Sequence, residues 1–168
     1  MLTPEELTKL LGLQPLPDEG GYFRETYRSD LMLPKAAIGK TYSGDRSAAT
    51  AIYYLLTAET FSAIHRVPGD ELFHFYMGDP IEMLQLREDG FSKVFRIGND
   101  LKNGFVPQVV VPARTWQGAR LIEGGKAALM GATMAPGFEF SDFELGSRAR
   151  LAREHPKYQR MIAELTRE

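Results

Sequence analysis

The chain contains no cysteine. That excludes a disulfide scaffold, a thiolate zinc site and a cysteine nucleophile, and it is compatible with a reducing compartment. Histidine is scarce as well, with three in 168 residues, so imidazole chemistry has few places to reside. A surplus of one charge sign is also missing. Twenty lysines and arginines stand against 22 aspartates and glutamates, a formal net charge of −2. Nucleic-acid binding needs a concentrated positive field, which this balance does not supply. No apolar run approaches the roughly 18 uninterrupted residues of a membrane-spanning helix. The start, Met1-Leu2-Thr3-Pro4-Glu5-Glu6, lacks the basic-then-apolar order of a signal peptide. G-x-S-x-G, P-loop and G-x-G-x-x-G motifs are absent too, which leaves hydrolase, kinase and dinucleotide-dehydrogenase readings without support. The expectation is a cytoplasmic protein with neither nucleic acid nor membrane as partner.

What is present describes an ordinary globular chain, 43 % hydrophobic and 25 % charged. Its length allows one domain over residues 1–168 that buries roughly two-thirds of its unfolded surface. Thr3, Pro4 and Glu6 form a helix start with a capping box, Leu7, Leu10 and Leu11 form an apolar stripe, and Gly12 can end the helix. From there, β-branched and aromatic segments alternate with turn residues. Strands are predicted over 22–28, 51–56, 62–66, 71–77, 81–86, 92–97, 106–111, 116–121 and 127–134. Asp79-Pro80, Glu88-Asp89-Gly90, Asn103-Gly104 and Glu123-Gly124-Gly125 mark turns between them. Strands this close together leave no room for crossover helices, so the fold is all-β, an antiparallel sandwich or barrel. Helix returns at the end, with Ser147 capping one segment and Pro156 starting another.

The chemistry concentrates in His65-Arg66-Val67-Pro68-Gly69-Asp70-Glu71-Leu72-Phe73-His74-Phe75-Tyr76-Met77-Gly78. Imidazole and carboxylate are metal ligands and equally an acid–base pair. Strand alternation puts Glu71, Phe73, Phe75 and Met77 on one face and Leu72, His74 and Tyr76 on the other. His74 is therefore not expected to share a site with Glu71. A hydrogen bond between His65 and Glu71 around the Pro68-Gly69 turn remains an open alternative to a functional pair.

The spacing resembles the cupin superfamily, whose first motif is G-x5-H-x-H-x3,4-E-x6-G and whose second is G-x5-P-x-G-x2-H-x3-N. His65, Glu71 and Gly78 match the first, while Val67 occupies the second histidine's place. In the second, Pro112 matches, Arg114 stands where glycine is usual, and Gln117 stands where histidine is usual. Glu19-Gly20-Gly21-Tyr22-Phe23-Arg24-Glu25-Thr26-Tyr27-Arg28-Ser29 is similar to a signature of the cupin-5 branch, a domain of unknown function. So are Ala51-Ile52-Tyr53-Tyr54-Leu55-Leu56 and Ala135-Pro136-Gly137-Phe138-Glu139-Phe140-Ser141-Asp142-Phe143-Glu144.

The resemblance implies a cupin-type antiparallel jelly-roll β-barrel with short N- and C-terminal helices. It also implies a homodimer, with strand 21–28 as the element that crosses over. A full cupin site uses three histidines and a glutamate. Here His65, Glu71 and Gln117 would form at most a weak site for zinc, iron, manganese or nickel. The resemblance makes no cofactor certain. Two functions follow: binding of a sugar, nucleotide or carboxylate metabolite in the barrel, or epimerase/isomerase chemistry with His65 as general base and Glu71 as its partner. Tyr22, Arg24, Phe73, Phe75, Trp116 and Gln117 are the expected ligand contacts, with arginine able to meet an anion and the rings lining a pocket. Arg24 and Trp116 also have plainer readings, an edge-strand ion pair with Glu25 or a dimer contact for the first and core packing for the second.

Overall fold

The computed structural model describes residues 2–167. Helix α1 (Pro4–Leu11) begins as its sequence requires: Thr3 and Glu6 exchange hydrogen bonds in a capping box, and Gly12 closes the helix with φ of 60°. After it come β1 (Gln14–Pro15), β2 (Tyr22–Arg28), β3 (Met32–Leu33), α2 (Lys35–Ile38), β4 (Arg46–Ser47), β5 (Thr50–Thr57) and β6 (Ser62–Arg66). Next are β7 (Glu71–Gly78), β8 (Ile81–Leu86), β9 (Ser92–Ile97), β10 (Gln108–Val111), β11 (Trp116–Leu121) and β12 (Ala127–Met134). The chain ends with β13 (Glu144–Leu145), α3 (Arg148–Glu154) and α4 (Gln159–Glu164).

Most predicted strands form where alternation and turns place them. β10 starts two residues late, because Pro107 has no N–H for the ladder, and Val106 makes only an isolated bridge to Ile97. The remaining short elements, β1, β3, β4, β13 and α2, are too brief to show a period.

Six strands, in the order β1-β2-β5-β12-β7-β10, form one large sheet and five, β13-β6-β11-β8-β9, the other, while β3 and β4 pair as a separate two-stranded sheet. All the ladders are antiparallel. Tyr54, Leu56, Phe73, Ile81, Met83, Val109, Val111, Ala128 and Met130 fill the space between the sheets. Helices α3 and α4 cover the outside of the five-stranded sheet through Leu151, Ile162 and Leu165, which meet Ile64, Leu84, Leu86 and Trp116. Helix α1 packs Leu7 onto Leu55 and Leu129 of the other sheet. Covered on both faces, β6 and β8 are buried almost throughout despite strict alternation.

Two local features shape the site. In β7 the pairing with β12 shifts between Leu129 and Met130, leaving Tyr76 as the extra residue of a bulge. The predicted alternation therefore ends at Phe75: Met77 is exposed rather than facing inward with Glu71. At the end of β7, Gly78 has φ of 108°, and a Cβ there would collide with the Ala127 carbonyl oxygen. Only glycine fits that position.

Candidate functional site

Register brings three sequence-predicted residues together. Gln117 of β11 lies directly opposite His65 of β6, and both point between the sheets. Glu71 enters from the facing sheet at the first position of β7. The Gln117 amide nitrogen donates to Glu71 Oε2 at 2.6 Å and lies 3.2 Å from His65 Nε2. His65 Nδ1 is 2.8 Å from the Ala63 carbonyl oxygen. A carbonyl can only accept, so the proton sits on Nδ1, and Nε2 is left as an acceptor for the second Gln117 N–H. The imidazole is thus held by two hydrogen bonds and stacked on Phe143 with ring centroids 4.9 Å apart. Its lone pair, the group a general base would use, is already engaged.

Glu71 is 8 % exposed. Burial is the main reason its pKa rises from 4.5 to about 7; His65 nearby pulls it down, Glu19 pushes it up, and the Gln117 hydrogen bond pulls it down. Glu19 itself accepts from Ser62 Oγ at 2.7 Å and places its other oxygen 3.9 Å from His65 Nε2. A carboxyl that titrates near neutrality can hold or release a proton as its surroundings change.

These groups close one end of a cavity of about 100 Å³ between the sheets. Leu16, Phe23, Ile52, Val67, Ala132 and Met134 form its apolar wall, and Phe138, Phe140 and Phe143 lean over it from the segment after β12. That segment is strapped down by three arginines. Arg28 binds Glu139 at 2.7 Å and grips Glu25 with two further bonds of 2.8 and 2.9 Å. Arg46 holds Asp142 with bonds of 2.5 and 2.7 Å, and Arg66 holds Glu144.

Several expected contacts lie elsewhere. Trp116 is next to Gln117 on one strand and so faces the opposite side, packed beneath α3 and α4 with Arg66 stacked 4.4 Å above it. Arg24 is exposed and lies over Tyr53 on the outer surface, and Tyr22 packs beneath α1. Phe73 and Phe75 belong to the core deeper in the barrel, so the cavity rings are Phe23, Phe138, Phe140 and Phe143 instead. His74 sits apart from Glu71, as alternation requires, beside Gln108 and Thr133. Glu19, Arg28 and Glu139 were given no role by the sequence, although all three stand in the quoted signature blocks.

The two motif segments meet in space: Arg114 N–H donates to the Val67 carbonyl at 2.8 Å, and Ala113 N–H donates to Asp70. Arg114 keeps φ of 62°, the left-handed backbone of the glycine that is usual there. The family model described as Cupin superfamily (DUF985) matches residues 5–146. The chain belongs to the cupin superfamily.

Among its relatives is the uncharacterized protein YML079W of Saccharomyces cerevisiae, 32 % identical over 132 residues. That match takes in 74 % of this chain and spans 66 % of the yeast protein's length. A hypothetical protein from Leishmania major has a similar structure, with a TM-score of 0.88 at 27 % identity, over 99 % of this chain and all of its own. A cupin 2 conserved barrel domain protein from Rhodopseudomonas palustris matches with a TM-score of 0.61 over 93 % of this chain and 90 % of its own; at 12 % identity it shows the fold alone.

The donor set of this cupin does not fit the metal its superfamily implies. Val67 puts a buried isopropyl group where a second imidazole would stand. Gln117 turns its amino group, not its oxygen, toward His65 and Glu71. Among the described residues no three His, Asp or Glu side chains are grouped to hold an ion. No helix among them is long and apolar enough to cross a membrane.

Proposed function

We propose that this cupin binds a small molecule in the cavity between its sheets, with Glu71, Gln117 and His65 forming the polar end. The observation that supports this reading is Glu71. Its Oε2 accepts from Gln117, Oε1 has no donor among the described residues, and Glu71 lines the cavity. Keeping a carboxylate on a residue that is only 8 % exposed is costly when it ionises, and an apolar side chain in its place would not carry that cost. A ligand donor at Oε1 removes the cost. The acidic surroundings of that oxygen weigh against the nucleotide and carboxylate classes. The test is mass spectrometry of small molecules released by denaturing the purified protein, with elemental analysis alongside. A stoichiometric molecule that Glu71→Ala protein no longer carries is the expected result, and identical extracts from both proteins would overturn it.

A second reading has a specific observation behind it. With a pKa of about 7, Glu71 can both accept and donate a proton at neutral pH. Isomerase chemistry in this cupin would run through Glu71, with His65 and Gln117 orienting it. Incubating the released molecule with protein in D₂O tests this. Deuterium entering a carbon position supports proton transfer, and none entering leaves binding alone.

For assembly we propose a homodimer through the outer edge of β2, which β1 covers at only two residues and which leaves Tyr27 exposed. Light scattering should return twice the chain mass, and a monomer mass removes the proposal.

A further inference from the structure

We infer that the cavity selects a small organic cation, an ammonium group carried on an apolar body. This deepens the binding reading above and rests on it. Three independent features of the wall converge on that ligand class.

The first is charge. Asp18, Glu19, Glu25, Glu71 and Glu139 border the cavity, and among the described residues Arg28 is its only lysine or arginine. Four of the five Arg28 N–H groups already serve both Glu25 oxygens, Glu139 and the Phe138 carbonyl, and two carboxylates offset its charge. An anionic ligand would meet no cation but this already paired one and would place its charge beside Glu19 and Glu71.

The second is the balance of hydrogen-bonding groups. His65 spends its N–H on Ala63, and Gln117 spends its amide hydrogens on His65 and Glu71. What this end of the cavity has left over is an acceptor, Glu71 Oε1. A ligand therefore has to bring the donor, and an ammonium brings three.

The third is the walls. Phe23, Phe138, Phe140 and Phe143 border the same space, and the negative faces of phenyl rings attract cations. Carboxylates beside aromatic rings can stabilise a positive head group and its apolar body at once, whereas a sugar would gain from the carboxylates alone.

Benzylamine, benzyl alcohol and benzoate have similar shape and carry positive, zero and negative charge at pH 8, so they separate the classes. Each is titrated into ¹⁵N-labelled protein and followed by amide shifts in β6, β7 and β11. The expected result is that benzylamine binds there at least about tenfold more tightly than benzyl alcohol, a difference of one charged hydrogen bond, and that benzoate does not bind. Glu71→Gln should weaken benzylamine by about tenfold and leave benzyl alcohol unchanged, with Glu19→Gln as a second variant acting in the same direction. Benzyl alcohol or benzoate binding at these residues as tightly as the amine overturns the cation inference and leaves the binding site standing. Benzylamine binding undiminished in both variants does the same. If none of the three probes shifts cavity residues, the cation inference falls, and the molecule released from the purified protein then decides the binding reading separately.

Discussion

Replacing Glu71 with glutamine makes the folded protein more stable above pH 7, by about 3 kcal/mol. In the folded chain, burial holds the Glu71 pKa at about 7, against 4.5 for the ordinary group. The folded form thus binds this proton more tightly than the unfolded form does. The stability that results is complete below pH 4.5 and is lost as the pH climbs through 7, where the buried carboxyl must ionise. Glutamine has the same shape, can still accept from Gln117, and does not titrate. Urea unfolding should therefore show the two proteins nearly equal at pH 4.5, diverging to a difference of about 3 kcal/mol at pH 8.5, or roughly 6–12 °C in Tm for a chain of this length. Equal stabilities at pH 8.5 would mean that Glu71 is not strained by its surroundings.

The second large effect is a loss. Asp142→Ala should destabilise the protein by about 3–5 kcal/mol, because it leaves Arg46 buried without its counter-charge. Arg46 is 3 % exposed, and its remaining partners are the Asp45 carbonyl and Ser43 Oγ. The same change frees the segment that carries Phe140 and Phe143, so the cavity loses part of its aromatic wall. Thermal unfolding reads the first effect and limited proteolysis within residues 137–144 the second. Replacing both partners, Arg46→Met with Asp142→Leu, should recover most of the stability, since an apolar pair of similar volume needs no counter-charge. Failure of Asp142→Ala to lower the Tm would show that the strap is not secured by this pair.

The barrel was legible because its strands carry period-2 alternation between explicit turns, as at Asp79-Pro80 before β8 and Glu88-Asp89-Gly90 after it. The same alternation contained a warning. Trp116 and Gln117 are adjacent on one strand and cannot both face one cavity, just as Glu71 and His74 cannot. The bulge at Tyr76 was not legible, since it depends on how β7 meets β12 rather than on local pattern. For the site, motif spacing located His65, Glu71 and Gln117. Glu19, Arg28 and Glu139 reach the cavity from segments distant in sequence, and only the topology brings them there. The signature blocks contained these residues, but a pattern of matched letters does not say which side chains point inward.

The most direct measurement is the titration of the Glu71 side-chain carboxyl by ¹³C NMR in the free protein. Its midpoint should lie at about 7 and should fall when benzylamine is added, because a bound cation favours the ionised carboxylate. A midpoint at 4.5, the ordinary value, would contradict the account, since Glu71 would then be a solvated or fully paired carboxylate rather than one kept for a ligand.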